Sequence, residues 1–326
     1  MKTLQTVILL LVAVLAVGTG ISCNRNNSAS TGKTVAYSSP GDANGWFLAF
    51  SSELKKEAAK RGYGFSVTHA QQNTARQLSD VEDIVAQKPS FLILGPKDTK
   101  ASADALRIAK EAGVPVVVVN RDINGKHGAD YITKIYSDFE WIGEKMAQAV
   151  GEAFPAEKEK IRIVEIHGTL GSANTIGMSK GIRKVTDNDA RMELVRSQPG
   201  NFQRDVAMEA MENIIQSGVE FDAIICHYDD EAMGVIQALT RKGRKMGNDP
   251  SKGEIIIVGN GGTTIGLEAV KAGKYHKIVS VTPYYADKVF EAIEAHLAGK
   301  TLEPYIRVDD IVIDKNNVDK HMATGF

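Results

Sequence analysis

The chain has 326 residues, 39 of them basic and 40 acidic, with a formal net charge of −1, 43% hydrophobic and 24% charged. That length suits two ordinary domains or one large one, and the apolar share is that of a globular protein with full-sized cores. No basic surplus points to nucleic acid and no acidic block marks a disordered tail, so the charge balance says little else about partners.

At the N-terminus, Lys2 precedes the apolar run VILLLVAVLAVG, the small stretch TGIS and then Cys23. Twelve apolar residues fall short of the roughly 20 that span a membrane and fit the core of a secretory signal, so residues 1–22 predict export. A cysteine straight after small residues resembles the bacterial lipoprotein signal, in which that cysteine is lipidated and becomes the mature N-terminus. Gly20 stands where that signal usually has leucine, and an incidental cysteine after an ordinary cleavage site is the alternative. Residues 23–33 then comprise the lipidation candidate Cys23 and a polar tether, NRNNSASTGK. Cys226, inside FDAIIC, is expected to be a buried small hydrophobe with no disulfide.

From Thr34 onward short β-branched runs alternate with amphipathic stretches: TVAYS, GFSVTHA, FLILG, VPVVVV and YITKIY, then IRIVEIHG, ELVRSQ, FDAIICH, EIIIVGN and KIVSVTP. The alternation predicts an α/β protein with parallel sheets covered on both faces, the continuous apolar runs being strands buried on both sides. In VPVVVVNRDI the valines make an interior strand, and Asn120, Arg121 and Asp122 emerge at its carboxyl end, the edge where open α/β sheets bind ligands. Ser38 to Gly41, Gln71, Gln72, Gln198, His227, Tyr228, Gly259 and Asn260 are expected at equivalent edges, and two halves joined around such edges form a cleft.

Enzyme signatures are weak. GTLGSANTIG and GNGGTTIG lack the lysine and hydroxyl pair of a phosphate-binding loop, and their glycines suit turns. The seven histidines show no zinc spacing, and His227 reads as a cleft residue or a hydrogen-bonded structural one. Asp229 and Asp230 read as a helix cap. The aromatic pieces NGWF at 44–47 and GNF at 200–202 each open a helix, one in each half. They either pack in cores or hold a flat, partly apolar ring between them, with Arg121 and amides at its rim.

Taken in order, NGWF, AQQNTARQ, NRDI, GTLGS, SKGI, SQPGNFQRD, HYDDEAMGVIQAL and VGNGGTTIG resemble the periplasmic sugar-binding proteins of the ribose-binding type, in particular their galactofuranose-binding branch, over residues 34 to about 314. The resemblance implies two Rossmann-like lobes joined by three hinge strands. One lobe would hold residues 34–137 plus 282–307 and the other 138–281 plus 308–326. Hinges would fall near Ser137 and Asp138, Val281 and Thr282, and Val308.

It further implies that Asn44, Trp46, Phe47 and Phe202 are ligand-binding residues, with Arg121 gripping the sugar. At other site positions the chain departs from the family. Asn120 and Gly261 replace aspartates, Met178 an arginine, Tyr228 an asparagine, and Val281 a polar hinge residue; Asn260, at its strand end, is also expected to bind the ligand. Ala43 and Phe47 replace a glutamate and an arginine of the galactofuranose branch. Losing such bidentate groups selects against a fully hydroxylated pyranose and favours a deoxy sugar, polyol or nucleoside-like ring, with a sugar acid on Arg121 as the second expectation.

The function implied is capture of a small molecule by lobe closure and delivery to the permease of an ABC importer. The protein would be a monomer, neither an enzyme nor a nucleic-acid binder, needing no cofactor and touching the membrane only through the lipid. A sensor lobe for a membrane kinase is the alternative. A repressor-type effector domain is disfavoured by the export segment and by the lack of a helix-turn-helix before residue 34.

Overall fold

Two sheets, each flanked by helices, account for the strand and helix alternation. The computed structural model describes residues 32–42 and 45–326; the signal segment 1–22, Cys23, the tether as far as residue 31, and Ala43 and Asn44 lie outside the described residues. The first sheet takes β1 (Thr34–Ser39), β2 (Gly64–His69), β3 (Phe91–Leu94), β4 (Val116–Val119), β5 (Thr133–Ser137) and, from far along the chain, β11 (Tyr305–Val308). Its order is β11-β5-β4-β3-β1-β2, all parallel. The second takes β6 (Ile161–His167), β7 (Met192–Pro199), β8 (Ala223–Cys226), β9 (Ile256–Gly261), β10 (Lys277–Ser280) and β12 (Val312–Asp314), in the order β12-β10-β9-β8-β6-β7. Every residue of β3, β4 and β8 is buried, as their unbroken apolar runs require of strands covered on both faces.

One expectation needs correcting, because the second sheet is not wholly parallel: β12 runs antiparallel to β10. β10 ends at Ser280, where the chain leaves this sheet, and β12 enters from the same side only three residues after β11. It must therefore run the other way.

The chain crosses between the sheets three times. After β5, helix α4 (Phe139–Ala153) packs on β8, β9 and β10 of the second sheet. After β10, helix α9 (Ala286–Leu297) returns to β4 and β5 of the first, and the step from β11 to β12 is the third crossing. Trp46, Phe139, Met178 and Val281 belong to one apolar cluster that includes strands of both sheets. Each sheet also carries a separate cluster, one containing Val118 and Leu92, the other Ile224 and Ile257.

Candidate functional site

Arg121 is placed by a tight turn. The four valines of β4 end at Asn120, whose φ of 66° is left-handed, and the Arg121 N–H donates back to the Val119 carbonyl at 2.7 Å. Asparagine tolerates that conformation better than most residues. The turn sends a guanidinium into the interior, 5% exposed, 5.8 Å from the centre of the Phe47 ring. One of its nitrogens donates to the Lys97 carbonyl at 3.1 Å, while Nε has no partner. Burial lowers the guanidinium to about 10, against the opposing pull of Tyr37 and Asp98, so it stays charged at neutral pH.

Phe47 and Trp46 begin helix α1 (Gly45–Lys60), whose buried stripe is Trp46, Phe47, Phe50, Leu54 and Ala58. Trp46 stacks on Phe50 at 5.1 Å between centroids, and its indole N–H donates to the Val281 carbonyl at 3.0 Å, tying the helix to the second crossing segment.

Across from them stands Phe202, just before helix α6 (Arg204–Gln216). Asn201 and Phe202 are both left-handed, at φ 55° and 60°. The Phe202 N–H donates to Glu231 Oε1 at 2.8 Å, and the Phe202 ring lies so close over Gly168 that a methyl group there would overlap it. Glu231 lies in the first turn of helix α7 (Asp229–Arg241), and burial pushes its carboxyl up to about 8, against the hydrogen bonds it receives. The Phe202 ring meets Tyr228 edge to face at 6.4 Å. Burial, with Asp229 and Asp230 adding to it, raises the Tyr228 hydroxyl well above its ordinary value and keeps it protonated.

These groups line one cavity between the two sheets' strand ends. Of the nine residues expected to bind a ligand, Trp46, Phe47, Asn120, Arg121, Met178, Phe202, Tyr228 and Asn260 line it. Asn44 lies outside the described residues. Four more residues line it: Phe139, Asn174, His227 and Val281. Asn174 and Met178 are one turn apart on helix α5 (Ala173–Thr186), which starts at the Ser172 cap. The sequence points to Val281 only as a hinge residue, and to His227 as a cleft residue or a structural one. Phe139 and Asn174 carry no signal in the sequence beyond their place at helix starts.

Four polar atoms of this lining are buried without a partner: Arg121 Nε, Asn174 Oδ1, His227 Nδ1 and Tyr228 OH. Asn260 spends its amide N–H on the Val279 carbonyl, at 3.0 Å. Of the other strand-end groups, Ser38 and Ser39 are buried outside the cavity and Gln198 is exposed, while Gln72 lines an outer crevice that shares Phe47, Arg121 and Phe202 with the cavity.

The helix-cap assignment of Asp229 and Asp230 is overturned in part. Both lie in the first turn of α7, where negative charge is favoured. Asp229 Oδ2, however, accepts the N–H groups of Gly262 and Thr263 and the Thr263 hydroxyl, at 2.7, 2.7 and 2.8 Å. It thus binds the loop before helix α8 (Thr264–Lys271), and Gly261 and Gly266 leave room for it. Asp230 pairs with Arg204 at 2.8 Å. Cys226 is buried, as expected. Among the described residues no helix is long and apolar enough to cross a membrane, and no group of histidine, cysteine or carboxylate side chains is set to hold a metal.

Residues 35–301 match the family model described as periplasmic binding protein domain. The galactofuranose-binding protein YtfQ of Escherichia coli K12 is 29% identical over 276 residues, covering 82% of this chain and 83% of that protein. The ribose import binding protein RbsB of Bacillus subtilis 168 is 29% identical over 267 residues, covering 81% of each. Among solved structures, the periplasmic binding component of the arabinose ABC transporter from Shewanella sp. ANA-3, bound to α- and β-L-arabinofuranose, superposes with a TM-score of 0.82. It is 30% identical and covers 89% of this chain and 95% of its own.

Proposed function

Because the chain belongs to the periplasmic binding protein domain family, we propose that it captures a small, neutral, hydroxylated ring and hands it to an ABC importer. The relatives are named for binding galactofuranose and ribose, the latter for import. The observation that carries the reading is the cavity's composition. Trp46, Phe47, Phe139 and Phe202 supply ring faces, and the four unpartnered polar atoms await hydroxyls. A ligand that meets both Arg121 of the first half and Phe202 of the second favours closure, and closure strengthens its polar contacts by excluding water. A furanose, deoxy sugar or cyclic polyol offers both the apolar ring face and the hydroxyls that this lining can meet. A sugar acid suits it less, because a carboxylate beside His227 Nδ1 would set lone pair against lone pair.

The lobes of this clamp are residues 34–137 with 282–307 and residues 138–281 with 308–326. They would swing about the segments near Ser137 and Asp138, Val281 and Thr282, and Val308. Binding, not catalysis, is its task. Mass spectrometry of whatever co-purifies, followed by a thermal-shift panel of pentoses, hexoses, deoxy sugars, polyols, sugar acids and nucleosides, tests the reading. Selective stabilisation by a neutral ring supports it; stabilisation only by a charged or non-cyclic compound rejects it.

The exported form is anchored through lipidated Cys23, with residues 24–33 as tether. Cys23→Ser is expected to move the protein from the membrane fraction to the soluble extracytoplasmic fraction. Continued membrane association of the variant would remove the anchor.

A further inference from the structure

We propose that His227 selects the ligand by polarity. Its Nδ1 is a fixed acceptor facing the cavity, so the bound ring must present a hydroxyl hydrogen to it, and Glu165 is the positioning residue that fixes this tautomer. The inference rests on the reading of the cavity as a site for a hydroxylated ring.

Glu165 lies on β6, wholly buried. One oxygen accepts the Ser179 hydroxyl at 2.6 Å and faces His227 Nε2 at 3.1 Å. The other accepts the Ser197 hydroxyl at 2.7 Å and an Arg183 N–H at 3.2 Å. Burial alone would raise this carboxyl, but the bonds from His227, Ser179 and Ser197 hold it well below the usual range. An ionised carboxylate only accepts hydrogen bonds, so the hydrogen between the two side chains sits on His227 Nε2. Burial holds the imidazole below its ordinary pKa, against the pull of Glu165, and a neutral ring has a single N–H. Nδ1 is therefore left as a bare lone pair. It is buried and unpartnered, on a residue that lines the cavity. His167, whose ring is 6.3 Å away, engages its own Nδ1 with the Gly168 carbonyl and does not compete.

The other unpartnered groups are less selective. The Tyr228 hydroxyl both donates and accepts, and an amide such as Asn174 can turn end for end. Arg121 only donates and His227 Nδ1 only accepts. The ligand must therefore carry an acceptor toward Arg121 and a donor toward His227. An ether or carboxylate oxygen at the second place would put lone pair against lone pair.

Long-range nitrogen–proton NMR of the histidine-labelled mature protein reads the tautomer without any ligand. The Nε2–H form is expected, with mixed forms in Glu165→Gln, whose amide can also donate. Arg183 is 45% exposed and can be hydrated in that variant, so the fold is expected to survive. Calorimetry with D-ribose, L-arabinose, D-galactose and myo-inositol, then with mono-deoxy and mono-O-methyl analogues of any that bind, reads the selection.

One hydroxyl position is expected whose O-methylation weakens binding at least about tenfold in the wild type. In His227→Phe the same change should cost less than about threefold, the bond being already absent. A resting Nδ1–H or imidazolium form, or equal losses in wild type and His227→Phe, overturns the inference while leaving the binding function standing. If none of the four compounds nor any other neutral ring binds the wild type, the proposed function itself fails and takes this inference with it.

Discussion

Arg121 is a buried cation with one nitrogen unanswered, and that defines what its removal should cost. Arg121→Ala is expected to weaken ligand binding by about 1.5–3 kcal/mol, the range for hydrogen bonds to a charged group, measured by titration calorimetry. Unchanged affinity would remove the residue from the site. Glu231 offers a test that needs no ligand. Its carboxyl, ordinarily near 4.5, is raised to about 8 in the folded chain, chiefly by burial, so the native state holds the proton more tightly than the unfolded one. The stability this contributes is complete below the unfolded value and is lost as pH rises through the folded value. Relative to Glu231→Gln, which cannot ionise, the wild type should lose stability between pH 5 and pH 8, by at most about 1.4 kcal/mol per pH unit. Urea midpoints at the two pH values measure it. Asp229 and Asp310, both raised to about 6, remain in both proteins and cancel in the comparison. At this scale Arg121 was legible, because four valines followed by Asn-Arg-Asp announce a strand end. The true partners of Asp229 were not, since the Gly262 and Thr263 amides lie more than thirty residues away.

Elements decide which side chains reach the cavity, and helix starts matter most. Continuous apolar runs and turn residues made the strands readable, and the aromatics of NGWF and GNF marked two helix starts. Phe139 and Asn174 also sit at or near helix starts, yet no local pattern sets them apart. Which face of such a helix meets the cavity depends on how the halves dock, and docking leaves no periodicity in the sequence. The strand and loop before α6 show how narrow the tolerance is. Two left-handed residues and the Glu231 bond hold Phe202 against Gly168, where there is no side chain. Gly168→Ala should push the ring aside, lowering ligand affinity at least about tenfold, while the buried strands keep the thermal midpoint close to the wild type's. Calorimetry and a melting curve on one preparation separate the two effects. A variant that binds normally would show that the Phe202 ring is not a wall of the site.

At the scale of the molecule, the three crossings leave each sheet with its own apolar cluster and, among the described residues, one shared between them. The two-sheet α/β architecture was legible from alternation alone, but the antiparallel entry of β12 was not, because its direction follows from where the chain crosses. Trp46 belongs to that shared cluster, lines the cavity and is bonded to Val281 on a crossing segment. The chain has only one other tryptophan, Trp141, which lies on α4 with Arg307 of β11 at 4.6 Å from its ring. The protein therefore carries its own optical gauge. In Trp141→Phe a single emitter remains, and its spectrum should shift when a sugar or polyol arrives, with a titration midpoint equal to the calorimetric one. A silent signal during proven binding would mean that the indole feels neither guest nor motion. A faithful one would let occupancy be followed in real time without any attached dye.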